Sequence, residues 1–138
     1  METKFNFNSA ICTSRAQSER LLALGLKKET ADMYWFRLDV DEYKLCANSW
    51  IEIQSDEEYF THYKSFCIPA WSLHRLLELS PKSVDQEIPY FTKDGNVELV
   101  NSDGIVTKAF GGENLYDTLL DFFHWLIKEG YFNKEFLI

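Results

Sequence analysis

Ile68-Pro69-Ala70-Trp71-Ser72-Leu73-His74-Arg75-Leu76-Leu77-Glu78-Leu79-Ser80-Pro81 is a helix with both ends spelled out, and the fold reads outward from it. Ser72 is a good N-cap, because its hydroxyl can accept from the free amides of the first turn. Trp71 before it is placed to pack on Leu76 as a hydrophobic staple. Pro81 ends the helix. Leu73, Leu76, Leu77 and Leu79 fall on one side and His74, Arg75 and Glu78 on the other, the period of a helix that lies on a core.

Upstream, a first helix is expected over Arg15 to Leu24. Ser14 and Gln17 have capping-box spacing, Gly25 can take the left-handed conformation just past the end, and Leu26 is placed to touch Leu21 in a Schellman closure. Thr30-Ala31-Asp32-Met33 reads as a short capped turn. The aromatic run Tyr34-Trp35-Phe36-Arg37-Leu38-Asp39-Val40 then reads as a strand, and Tyr43 to Ile53 as its pairing partner. Ser55-Asp56-Glu57-Glu58 has the composition of a helix start, but the aromatics up to Phe66 follow no clear period.

Downstream, Pro89 to Phe110 contains Asp94-Gly95 and Asp103-Gly104, two turn signals separated by a strand-length piece with Val97, Leu99 and Val100, which predicts an antiparallel meander. The final helix is expected from Leu115 to Glu129, with Asn114 as cap, Gly130 beyond its end and Tyr131 folding back on Leu126. Leu115, Tyr116, Leu119, Leu120, Phe122, Phe123, Leu126 and Ile127 occupy one arc, and Asp117, Asp121, His124 and Lys128 a polar stripe. Trp125 falls on the polar side, beside Asp121 and Lys128. It is either covered by the tail Phe132 to Ile138 or by a loop, or it is an amphipathic anchor for a partner.

The 138 residues, 46% hydrophobic and 16% aromatic, suit one domain over residues 1–138 with a sizeable core. With 22 acidic and 14 basic residues the net charge is −8, and no basic cluster exceeds Lys27-Lys28, so direct nucleic-acid binding is not expected. No repeat or linker divides the chain. Cys12, Cys46 and Cys67 are odd in number and form no C-x-x-C pair. The start Met1-Glu2-Thr3-Lys4-Phe5-Asn6 has no signal-peptide pattern, and no stretch has membrane-span length. A reducing cytoplasm is the expected compartment.

Catalytic constellations are not legible. Ser72 and His74 point apart on one helix, and there is no G-x-S-x-G elbow. The three cysteines read as small buried hydrophobes. His62 and Cys67 lack a second ligand pair for zinc, and Asp39, Asp41 and Glu42 lack the glycine and terminal glutamate of a calcium loop. Gly111-Gly112 precedes a helix without a phosphate-binding pattern and reads as a flexible hinge. No catalytic, cofactor-binding or metal-ligating residue is therefore expected.

Five blocks in fixed order, Thr13-Ser14-x-x-Gln17-Ser18-x-x-Leu21-Leu22-x-Leu24-Gly25, Thr30-Ala31-Asp32-Met33, Ile68-Pro69-Ala70-Trp71-Ser72-Leu73, Leu76-Leu77-x-Leu79-x-Pro81 and Trp125-Leu126, resemble a group of small prophage and mobile-element proteins of anaerobic gut bacteria. Tyr34 to Phe66 and the meander fall outside the likeness. The group has no assigned activity, so the resemblance implies a bacterial intracellular origin and an accessory role, and carries no functional residue across.

The expected fold is α+β, about three helices packed on a small antiparallel sheet drawn from the 34–53 and 89–110 regions. The expected function is that of a non-enzymatic cytoplasmic accessory protein that binds another protein, with Trp125 as the candidate contact residue and homodimerisation open to it. Two alternatives stand beside it. One is a small-molecule-binding protein or small enzyme, with a pocket between sheet and helices lined by Tyr34, Phe36 and Tyr90. The other is an acidic nucleic-acid mimic.

Overall fold

Each helix start is built by the side chain that its spacing predicts. In the computed structural model, which describes residues 10–46 and 66–138, helix α1 covers Arg15–Ala23. The Ser14 hydroxyl accepts from the Gln17 amide at 3.2 Å, and the Gln17 side-chain oxygen accepts from the Ser14 amide at 2.8 Å. That is a complete capping box. Beyond the cap at Leu24, Gly25 takes φ +99°. Leu26 donates to the Leu21 carbonyl at 3.2 Å and Gly25 to Leu22 at 3.0 Å, the paired closure of a Schellman motif.

The turn that follows lies earlier than expected, as a single 3-10 turn over Lys28–Thr30, and Met33 already belongs to a strand. The Thr30 hydroxyl donates back to the Lys27 carbonyl at 2.6 Å, so it closes the turn behind it instead of capping one ahead. Strands β1 (Met33–Asp39), β2 (Glu42–Cys46) and β3 (Cys67–Ala70) form an antiparallel sheet in the order β2-β1-β3. Tyr34 pairs with Cys46 on one side and with Pro69 on the other. The predicted pairing of the aromatic run is thus present over 43–46, while the expectations for 47–53 and 55–65 lie outside the described residues. Strand β3 comes from the lead-in to the central helix and has Pro69 on an edge strand, where a missing backbone donor is tolerated.

Helix α2 (Leu73–Leu79) starts at Ser72, whose hydroxyl accepts from the Arg75 amide at 3.1 Å. The meander is β4 (Ile88–Phe91), β5 (Asn96–Val100) and β6 (Val106–Gly111), in that order and antiparallel throughout. Both Asp-Gly turns place glycine in the left-handed region, Gly95 at φ +84° and Gly104 at φ +77°. Helix α3 (Leu115–Glu129) has Asn114 as N-cap and Gly130 at φ +80° as its end.

The fold is α+β, with three α-helices and two three-stranded antiparallel sheets among the described residues. The strands do not merge into one sheet. β3 passes directly into α2 at Trp71-Ser72, so the chain leaves the first sheet before the meander begins. One buried cluster joins them all, with Leu21, Trp71, Leu76, Leu119, Leu120, Phe122, Phe123 and Leu126 from the helices and their flanks and Tyr34, Val97 and Leu99 from the sheets. The C-terminal tail is tied to the exit of α1, where Lys27 donates to the Phe136 carbonyl and Ile138 to the Gly25 carbonyl, each at 2.8 Å. Among the described residues no helix is long and apolar enough to cross a membrane.

Candidate functional site

Trp125 is half-buried, and of the two covers expected for it a loop residue contributes where the tail from Phe132 onward does not stack on the ring. The tail turns away to α1, with Phe132 on Phe123 at 4.9 Å between ring centres. Trp125 packs instead against Phe110 of β6 at 5.6 Å and Tyr131 at 5.5 Å, and lies nearly parallel to Phe122 at 6.5 Å. Tyr131 reaches that position because Gly130 reverses the chain and the Tyr131 amide donates to the Leu126 carbonyl at 2.8 Å. The Lys108 ammonium stands 5.3 Å from both the Phe110 and Trp125 ring centres. Beside this aromatic shelf runs a shallow groove of about 290 Å³, lined by Phe110, Asp121, His124, Trp125 and Lys128. The Asp121 carboxylate is already occupied by the Arg20 guanidinium at 2.6 Å.

A second concavity, of about 580 Å³, lies where the three helices begin. Ser14 and Gln17 come from the start of α1, Leu73 from α2, and Asn114, Leu115 and Tyr116 from α3, with Trp35, Ala10 and Cys12 completing it. Each rim amide or hydroxyl has structural work. Gln17 Nε2 donates to Asp117 Oδ1 at 2.7 Å, Asn114 Oδ1 accepts from the Asp117 amide at 3.0 Å, and the Tyr116 hydroxyl donates to the Ala10 carbonyl at 2.9 Å. Tyr34, Phe36 and Tyr90, the aromatics expected to line a pocket, are not among the residues around this concavity. Side chains alternate along a strand, so Trp35 faces the concavity while Tyr34 is buried in the core, and Tyr90 stands 52% exposed on the other sheet.

The side chains with catalytic potential are held in structural roles. Ser72 donates its hydroxyl to Asp32 Oδ2 and its amide to Asp32 Oδ1 at 2.8 Å, while the same hydroxyl caps α2. His74 projects away, 86% exposed by side chain, with Glu78 at 3.5 Å. Burial pushes the Cys12 thiol up to about 11, aided by the Asp32 charge, and the Cys67 thiol likewise to about 11, aided by Cys46. Both thiols are therefore protonated and weakly nucleophilic near neutral pH. Asp39, Asp41 and Glu42 sit exposed at the β1–β2 turn, with Asp39 accepting from the Val40 amide at 2.7 Å. His62 lies outside the described residues, among which no group of three His, Cys, Asp or Glu side chains could hold a metal ion. Gly111-Gly112, expected to be a hinge, has contacts on both residues. Gly111 pairs with Asn96 in the sheet, and a Cβ on Gly112 would stand 3.2 Å from the Thr118 hydroxyl.

Two features escape the sequence reading. Thr13, fully buried, accepts from the Trp71 amide through its hydroxyl at 3.1 Å, shares a hydrogen bond with Ser18 at 2.8 Å, and offers its carbonyl to Trp35 Nε1 at 3.0 Å. Nothing in the local pattern announces a threonine with that many partners. The meander also carries an exposed apolar row, Ile88 and Val106 flanking Val100, with Tyr90 one pair along. A signal for it was present, since Ile88-Pro89-Tyr90-Phe91 and Val97-Glu98-Leu99-Val100 are apolar at both parities. Comparison of the chain with family models, with curated proteins and with solved structures finds no match.

Proposed function

We propose that this chain acts by binding another protein, with Trp125 in the contact surface. The observation that carries the reading is the shelf of Trp125, Phe110 and Tyr131 beside an open groove, with Tyr131 41% exposed. Half-buried aromatics with a rigid backing and a polar rim are the usual anchors of protein interfaces, because their rotamers are already held before a partner arrives. The five-block resemblance supplies the setting, an accessory protein of a phage or mobile element working in a bacterial cytoplasm.

Affinity capture from the native host, with the full chain and with Trp125→Ala as baits, tests this directly. A partner retained by the first and lost with the second supports the reading. Equal capture by both removes Trp125 from it.

A second reading has one observation in its favour. The concavity at the three helix starts has apolar walls in Trp35, Leu73, Leu115 and Tyr116 and a polar rim in Ser14, Gln17 and Asn114, which suits a small, largely apolar ligand. A thermal-shift screen with the chain and Trp35→Ala separates this from the first reading.

A further inference from the structure

Strand β6 is the outer strand of the meander, and among the described residues no strand pairs with its far edge. Five of its six residues, Val106 to Ala109 and Gly111, are exposed. An open edge presents a row of unpaired N–H and C=O groups, the template on which another extended segment adds. Alongside it lies the polar stripe of α3, and the groove of about 290 Å³ is formed from both elements, Phe110 from the strand and Trp125 with Lys128 from the helix.

The charge at this groove is opposite to that of the whole chain. The molecule carries −8, yet Lys108 and Lys128 make no ion pair among the described residues, and the nearby Asp121 is neutralised by Arg20. Self-pairing of β6 about a two-fold axis would bring two such lysine sets together, and like charges across paired strands are unfavourable. A partner with carboxylates meets no such repulsion.

We propose that the open edge of β6 takes up an extended, acidic segment of a partner protein as a fourth strand of the meander. One apolar side chain of that segment seats on Phe110 and Trp125, and its carboxylates meet Lys108 and Lys128. The inference rests on the protein-binding reading above and names the partner's chemistry.

Selection of random short peptides on the immobilised full chain, followed by fluorescence anisotropy with an enriched peptide, tests it. The expected peptides carry an apolar residue with acidic residues two positions away on either side, because Lys108 and Phe110 share one face of the strand. Their binding falls about tenfold or more in the Lys108→Glu, Lys128→Glu double variant and weakens as salt is raised. N-methylation of alternate peptide amides abolishes binding, because it removes the donors that pair with the strand edge. Unchanged melting of the variant, whose two lysines are exposed, establishes that it is folded. Peptides indifferent to both N-methylation and charge reversal overturn strand addition. If those peptides still require Trp125 the protein-binding reading survives, and if they do not, both fail. An unenriched library, or a dimer in solution paired through the β6 edge, also overturns the proposal.

Discussion

The Gln17 side chain donates to the Asp117 carboxylate at 2.7 Å across 100 residues of sequence, while its oxygen closes the capping box of α1 on Ser14. One amide thus ends a local motif and begins a tertiary one. Asp117 is in turn held by its own N-cap, with Asn114 Nδ2 donating to Asp117 Oδ2 at 3.0 Å. The first turns of α1 and α3 are therefore docked side by side at the rim of the concavity where the three helices begin.

Gln17→Ala removes both bonds and is expected to destabilise the fold by about 1–2 kcal/mol. Gln17→Glu keeps the capping acceptor but sets a carboxylate against Asp117, and Asp117→Asn in the same chain restores most of the loss. Urea unfolding of the single and double variants measures the coupling, and additive losses would show that the contact contributes nothing.

Thr13→Val should be among the more damaging buried substitutions, at about 2–3 kcal/mol, because it leaves the buried Trp71 amide without its acceptor and the buried Ser18 without its partner. Thr13→Ser retains the hydroxyl and loses only a methyl group, for about 1 kcal/mol. The ordering of the two midpoints in urea decides whether the hydroxyl or the packing matters.

The raised thiols give the fold a one-sided alkaline limit. Burial lifts Cys12 and Cys67 from the ordinary 9.0 to about 11, so an unfolded chain loses these protons before a folded one does. Their contribution is fully present below pH 9 and declines between about 9 and about 11, at up to roughly 1.4 kcal/mol per pH unit per thiol. Tyr116, also raised by burial, acts in the same direction. Unfolding midpoints from pH 8 upward should fall with that sign, and Cys12→Ala should flatten the slope. Both thiols should resist alkylation at pH 8 until urea is added.

Thr118 couples the start of α3 to the meander. Its hydroxyl, fully buried, contacts the Gly95 carbonyl at 2.6 Å and the Asn114 carbonyl at 3.0 Å. Thr118→Val is expected to destabilise by about 1–2 kcal/mol. Gly112→Ala presses a methyl group onto the same hydroxyl, where the gap is 3.2 Å, and should cost about 1 kcal/mol more than Gly104→Ser, which meets open space and only the strain of φ +77°. Thermal melting of the three variants checks the order.

What lay within reach of the sequence was whatever the chain settles over four or five consecutive residues. Ser14 with Gln17, Ser72, Asn114 and the glycines at 25, 95, 104 and 130 each satisfy or release backbone groups within one turn, so the three helices and the meander were legible from their letters. The α+β class followed from those local elements. Only the tertiary structure decided which strands pair, because register and neighbour depend on surfaces distant in sequence: Cys67–Ala70, just ahead of the Ser72 cap, became a strand by meeting Met33–Phe36. It also decided the surroundings of Trp125, which the helical period placed on the polar side but which Phe110 and Tyr131 half-cover. The groove along β6 belongs to neither element alone, since an open strand edge and a helix stripe acquire a common surface only when packing on Phe122 brings them together.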